Sequence, residues 1–172
     1  MKRLSRIFLI TILILPFVGF RACEKQQAES VQRQFALNTN RVASGTGDAL
    51  RAIDQLRTQG LIDNRQAIGA TQKTQLANAA NGKLIQAAQQ YIKVVDGKRV
   101  FLLTDDGVVD IQKAIDVAVI AFNDALSDPV FSSTDSKLRQ SISAFTQTLA
   151  LAVKALLTIK GQLKPGVAVE VF

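Results

Sequence analysis

Two interleaved rows of apolar residues run through residues 138–163, each stepping by seven. Leu138, Phe145, Ala152 and Ile159 make one row, and Ile142, Leu149, Leu156 and Leu163 make the other. Wound into a helix, the two rows lie side by side on one face, and such a seam must bury against other helices. The rest of the chain therefore has to supply helical partners. Its prolines permit this: they stand at positions 16, 129 and 165, with none between Phe17 and Asp128. A proline inside a helix would remove a backbone hydrogen bond and clash with the preceding turn.

Three further helices are predicted. The first covers residues 26–59. Ala28, Phe35, Val42, Ala49 and Leu56 recur every seven residues, and Val31, Asn38, Gly45 and Ala52 form a second register with Ile53 beside it. At 1.5 Å per residue this helix would be roughly 50 Å long. Gly45-Thr46-Gly47 is its expected weak point and a candidate kink, and Gly60 suits a C-terminal cap. Asp63 and Gln66 resemble a capping box for the second helix. That helix is expected to reach about Lys93 with Ile68, Leu76, Ala80, Leu84, Ala88 and Ile92 inward.

Thr104 reads as the N-cap of the third helix, with Asp105, Asp106 and Asp110 in its first turns, where acids suit the helix dipole. Ile111, Ile115, Ala118, Phe122 and Leu126 form its inner stripe, and it is expected to stop near Ser127, ahead of Pro129. Ser133 or Thr134 is expected to cap the fourth helix, which ends near Gly161. Asp96-Gly97 is a turn signal between Ile92-Lys-Val-Val and Arg99-Val-Phe-Leu-Leu. A short β-hairpin over 92–103 and a helix–helix connection are the two readings, and the connection is preferred. Short links between amphipathic helices favour antiparallel neighbours. The expected fold is all-α: an antiparallel four-helix bundle over 23–164, after a signal segment at 1–22. Residues 165–172, which alternate Val167, Val169 and Val171 with Ala168 and Glu170, are expected to form an ordinary extended tail.

The N-terminus reads as a targeting signal. Lys2, Arg3 and Arg6 precede an uncharged run, Ile7 to Phe20, of 14 residues. A bilayer-spanning helix needs about 20, whereas a basic start and a short apolar run fit a secretory signal. An uncleaved N-terminal anchor is the alternative. Ala22-Cys23 resembles the end of the lipobox at which bacterial lipoproteins are cut and lipidated. Phe20 stands where leucine is usual, and Arg21 where a small or hydroxyl residue is usual. The resemblance implies that Cys23, the only cysteine, carries the lipid. Alone, it cannot form an internal disulfide.

The chain has 21 basic and 14 acidic residues, net +7. Four of the cations, Lys2, Arg3, Arg6 and Arg21, belong to the signal, leaving 17 against 14 and a net +3. The high isoelectric point is thus mainly a property of the signal, and no nucleic-acid partner is expected. Residues 24–100 carry +5 and residues 101–172 carry −2. The two halves are expected to attract each other, the sharper alternative being a basic face toward anionic lipid or cell-wall polymer.

The chain contains no histidine, which removes the commonest general base and metal ligand. With one cysteine as well, no metal site and no cofactor is expected. Di-iron bundles need inward Glu-x-x-His motifs, whereas the glutamates here are Glu24, Glu29 and Glu170, all near the ends. Asp105, Asp106 and Asp110 lack the glycine spacing and terminal glutamate of a calcium loop, so capping is the preferred role. Gly45-x-Gly47 lacks the third glycine of a dinucleotide fingerprint, and Ser133 and Lys137 are one residue too far apart for S-x-x-K. No catalytic residue is therefore assigned. The functional expectation is an exported, envelope-tethered, non-enzymatic interaction or structural module. It would contact the membrane through its N-terminus, and an envelope protein or anionic polymer through the bundle. A membrane-active bundle is the alternative. An enzyme would be confined to Asp, Ser, Lys or the lone Tyr91, gathered in a pocket.

Overall fold

The structure, a computed structural model, describes the backbone of residues 4–166 and 168–170, and the side chains of residues 26–166 apart from residue 28. Residues 1–22, expected to be a signal segment, and Cys23 lie outside the described side chains. The protein is mostly helical, with four helices and one small antiparallel sheet. The helices are α1 (Leu4–Thr58), α2 (Asn64–Gln89), α3 (Asp105–Leu126) and α4 (Ser136–Gln162). The strands are β1 (Ile92–Val95), β2 (Lys98–Leu102) and β3 (Ala168–Glu170), in the order β1-β2-β3. Helix α1 packs on α2 and α4, and α3 packs on the same two helices.

Helix α4 follows its sequence pattern closely. Ile142, Phe145, Leu149, Ala152, Leu156 and Ile159 are all buried, with Leu138 and Leu163 part-buried at the two ends. Its N-cap is Asp135 rather than Ser133 or Thr134. The Asp135 carboxylate accepts from the backbone N–H of Lys137 at 2.9 Å and Leu138 at 3.1 Å, while Ser133 Oγ accepts from Asp135 N–H. A carboxylate in this position also meets the positive end of the helix dipole, which a hydroxyl cannot do as strongly.

Helix α1 runs through Gly45-Thr46-Gly47 without interruption. Gly45 lies against α4, where an added Cβ would sit 3.6 Å from Thr148. The second register of α1 is shifted by one residue from expectation. Thr39, Thr46 and Ile53 are buried, while Asn38, Gly45 and Ala52 are part-exposed. Threonine tolerates this burial because its hydroxyl returns a bond to its own helix: Thr46 donates to Val42 O at 2.8 Å and Thr39 to Phe35 O at 3.0 Å. Gly60, with φ 69°, ends the helix. The N–H groups of Gly60 and Leu61 reach back to the carbonyls of Arg57 and Leu56, a Schellman closure.

Helix α2 starts with the expected capping box between Asp63 and Gln66. Its buried face is the expected one only in part: Ala80, Leu84 and Ala88 are buried. Ile68 and Leu76 are 59% and 60% exposed. The buried rows are Ala67, Thr74, Asn81, Ala88 and Ala70, Ala77, Leu84, a seven-step seam made largely of small residues. Alanine faces let neighbouring helix backbones approach closely, and on this helix that close packing prevailed over burial of the larger side chains. Asn81 joins the two helices directly: its Nδ2 donates to Thr39 O at 2.9 Å. In α3, Ile111, Ile115, Ala118 and Phe122 are buried as expected, with Ala125 in place of Leu126 as the last core position.

Residues 92–103 are a hairpin, not a helix connection. Asp96 and Gly97 both have positive φ, 51° and 74°. That is the signature of the type I′ turn, whose twist matches that of paired strands. The flanking valines and isoleucine favour pleated backbone over helix. In the tail, a third strand joins the hairpin. Residues 168–170 pair antiparallel with β2, Phe101 facing Val169, and Gly166 N–H donates to Leu103 O at 2.9 Å. The exposed edge of β2 offers unpaired backbone groups, and an alternating segment satisfies them.

Tyr91, at the start of the hairpin, clamps it to α3. Its hydroxyl donates to Asp110 Oδ2 at 2.7 Å. Its ring lies over Gly107, where a Cβ would come within 2.6 Å of the ring, so no larger residue fits without displacing it. The bond to Asp110, with a smaller contribution from desolvation and the charges of Asp110 and Asp106, holds the phenol above its ordinary pKa of 10.0. The raised value means that this contact stabilises the fold below pH ~10 and is lost as pH rises through the shifted pKa. Tyr91 is the only tyrosine and the chain has no tryptophan. An ultraviolet absorbance titration therefore reads this group alone. Its midpoint is expected above that of free tyrosine, and Asp110→Asn or Gly107→Ala is expected to bring it back toward 10. An unshifted wild-type midpoint would refute the clamp.

Candidate functional site

Helix α2 ends at Gln89 and β1 begins at Ile92, so the hairpin folds across one end of the helices. Phe35 on α1, Ile85 on α2, Ile92 and Phe101 on the hairpin, and Leu163 after α4 are each only part-buried. They border a common opening, a pocket of about 200 Å³. Val31, Ala88, Ile111 and Ile159 line it further, and Gln32, Thr39, Asn40 and Gln89 are the polar residues in its lining. Among the described residues no charged one lines it. Thr39 is engaged with helix carbonyls, so Gln32, Asn40 and Gln89 are the polar lining residues whose side chains make no such bond to their own helix. A second depression, wider and more open at about 470 Å³, lies between α1 and the start of α2. It contains the exposed Asp54–Arg57 ion pair.

The aspartates lie outside the first pocket, and each has a position in the architecture. Asp48 and Asp54 pair with Arg51 and Arg57 one turn on. Asp63 and Asp135 are N-caps, Asp96 is in the hairpin turn, and Asp105 and Asp106 occupy the first turn of α3. Asp110 takes the Tyr91 hydroxyl. Asp116 holds Lys160 at 2.5 and 2.7 Å, linking α3 to α4. Asp124 pairs with Lys73, linking α3 to α2. Asp128 is buried and closes the α3–α4 loop by accepting from Val130 N–H at 2.9 Å. Thr104 caps α3 through Gly107 N–H, as expected. Among the described residues no group of three or more His, Cys, Asp or Glu could hold a metal ion. The lipidation candidate, Cys23, lies outside the described side chains.

The pocket itself went unseen in the sequence. Its wall residues were read as core positions or left unassigned, since periodicity marks which face is buried and not where packing is incomplete. No protein-family model matches the chain, and comparisons with curated proteins and with solved structures return no significant match.

Proposed function

We propose that the protein is an exported, non-enzymatic interaction or structural module, an antiparallel four-helix bundle tethered to the bacterial cell envelope through its N-terminus. The basic start, the 14-residue apolar run and the cysteine directly after it support export and tethering. The contacts of α1 with α2 and α4, and of α3 with the same pair, support the bundle. The observation that carries the non-enzymatic reading is the placement of the aspartates. In a chain without histidine they are the main candidates for acid–base work, and their caps, turns and ion pairs spread them over the whole fold rather than around the pocket. The partner in this reading is an envelope protein or an anionic polymer, met by the basic half of the chain. Fractionation of a bacterial host expressing the full chain tests the tether. The protein is expected with the membranes, and recovery in the cytosol would overturn the proposal.

One observation favours the alternative, a membrane-active bundle. Helix α4 is long and apolar enough to cross a membrane by length and composition, and Leu151 and Leu157 on it are exposed. Lys154, and Lys160 held by Asp116, oppose its insertion, since ionisable groups in hydrocarbon are costly. Dye release from vesicles by the full chain, lost in Leu151→Asp with Leu157→Asp, would establish this reading in place of the first.

A further inference from the structure

We propose that the pocket between the helix ends and the hairpin binds a small neutral amphiphile: a short alkyl chain with a hydroxyl or ester end. The proposal does not rest on export or tethering, because the pocket is built from described residues of α1, α2, α3, α4 and the hairpin.

Size sets the hydrocarbon part. A group about as large as a water molecule takes up ~30 Å³. The pocket's volume of about 200 Å³ then accommodates roughly the first six or seven carbons of an alkyl chain, with the polar end left at the opening. Apolar cavities of ~150 Å³ are known to stay dry and take up a molecule the size of benzene, so this one is large enough to bind rather than merely to pack loosely. Water in it would meet mostly hydrocarbon from Phe35, Ile85, Ile92 and Phe101, and an alkyl chain would release that water.

Charge sets the polar end. The polar residues in the described lining are Gln32, Thr39, Asn40 and Gln89, whose side chains hydrogen-bond without carrying charge. They match a hydroxyl or an ester. A carboxylate or ammonium would enter an apolar site with no counter-ion among its described lining residues, and burying an unpaired charge is strongly disfavoured. The location is consistent with ligand entry, because part-buried side chains from separate elements meet at the opening. The hairpin that forms one wall is held in place by the Tyr91–Asp110 bond.

The test is photolabelling of the full chain in unfractionated lysate of the expressing host, with a diazirine analogue of octanol as the probe and peptide mass mapping as the readout. Labelling is expected on peptides containing residues 31–40, 85–92 and 101. It should be competed by unlabelled octanol and not by octanoate at the same concentration. Ala88→Phe, which fills the pocket, is expected to abolish this labelling while any labelling of the apolar N-terminal run persists. Circular dichroism reports whether that variant keeps its helices. If it does not, Ile85→Trp fills the same space from one turn earlier on α2, and the competition result on the unaltered chain stands in either case. Labelling confined to the N-terminal run and exposed apolar residues would overturn the proposal. So would equal competition by octanoate, or unchanged labelling in a folded Ala88→Phe chain.

Discussion

Leu149→Ala is expected to destabilise the protein by about 2–5 kcal/mol, and Leu156→Ala by a similar amount. Both side chains are buried, with exposures of 0% and 1%. They sit in the middle of the α4 seam, between Phe145 and Ile159, where α4 packs against both α1 and α3. Truncation removes apolar area from the core and leaves a cavity that the flanking helices can close only partly. Domains of this kind are stable by only ~5–15 kcal/mol, so either change consumes a large share of the total. Leu151→Ala and Leu157→Ala provide the contrast. They lie on the same helix at 61% and 52% exposure, and their cost is expected within ~0.5 kcal/mol. Urea unfolding followed by far-ultraviolet circular dichroism measures all four. Equal losses at the buried and exposed positions would mean that the seam does not face the core.

Cys23→Ser is expected to release the protein from membranes, or to leave it uncut with its signal attached. The reasoning is positional. The single cysteine follows the apolar run directly, with Ala22 before it, as in the lipobox it resembles. One acyl chain alone gives only marginal membrane binding, so stable anchoring would use the several chains that bacterial lipoproteins carry. Intact mass of the unaltered protein should then exceed the peptide mass from Cys23 onward by the lipid. Recovery with an intact signal, or with an unmodified Cys23 after cleavage elsewhere, would show that Ile7–Phe20 acts as an anchor or an ordinary secretory signal. The lipid assignment would then fall while the tether proposal is judged by fractionation alone.

These expectations draw on different parts of the argument. The α4 seam was legible because its large apolar residues recur at fixed spacing, and periodicity is visible in a linear string. The α2 seam was hidden because its members, such as Ala67, Thr74 and Asn81, are small or polar, while the conspicuous Ile68 and Leu76 face outward. Hydrophobic size suggested a stripe there, whereas helix approach selected the residues that fit. The same cause shifted the second row of α1 onto Thr39 and Thr46, whose hydroxyls are satisfied within their own helix. The pocket had no linear signal at all. Its walls come from five elements and its existence depends on space that their side chains fail to fill.

The sequence by itself determined four helices and most of their caps, because capping and apolar spacing act between residues a few positions apart. It also contained both signals of the hairpin, the Asp96-Gly97 turn and the valine-rich flanks. Local preference could not rank the hairpin above a helix connection, because β1 and β2 are stabilised by partners distant in the chain. Tertiary structure decided the rest. It supplied β3, since a strand forms at 168–170 only where the edge of β2 is there to receive it. It placed Tyr91 over Gly107, and it joined Asp116 to Lys160 across 44 positions. Backbone pairing across long separations, close approach of helix faces and the volume left between them are properties of assembled elements, and no single segment encodes them.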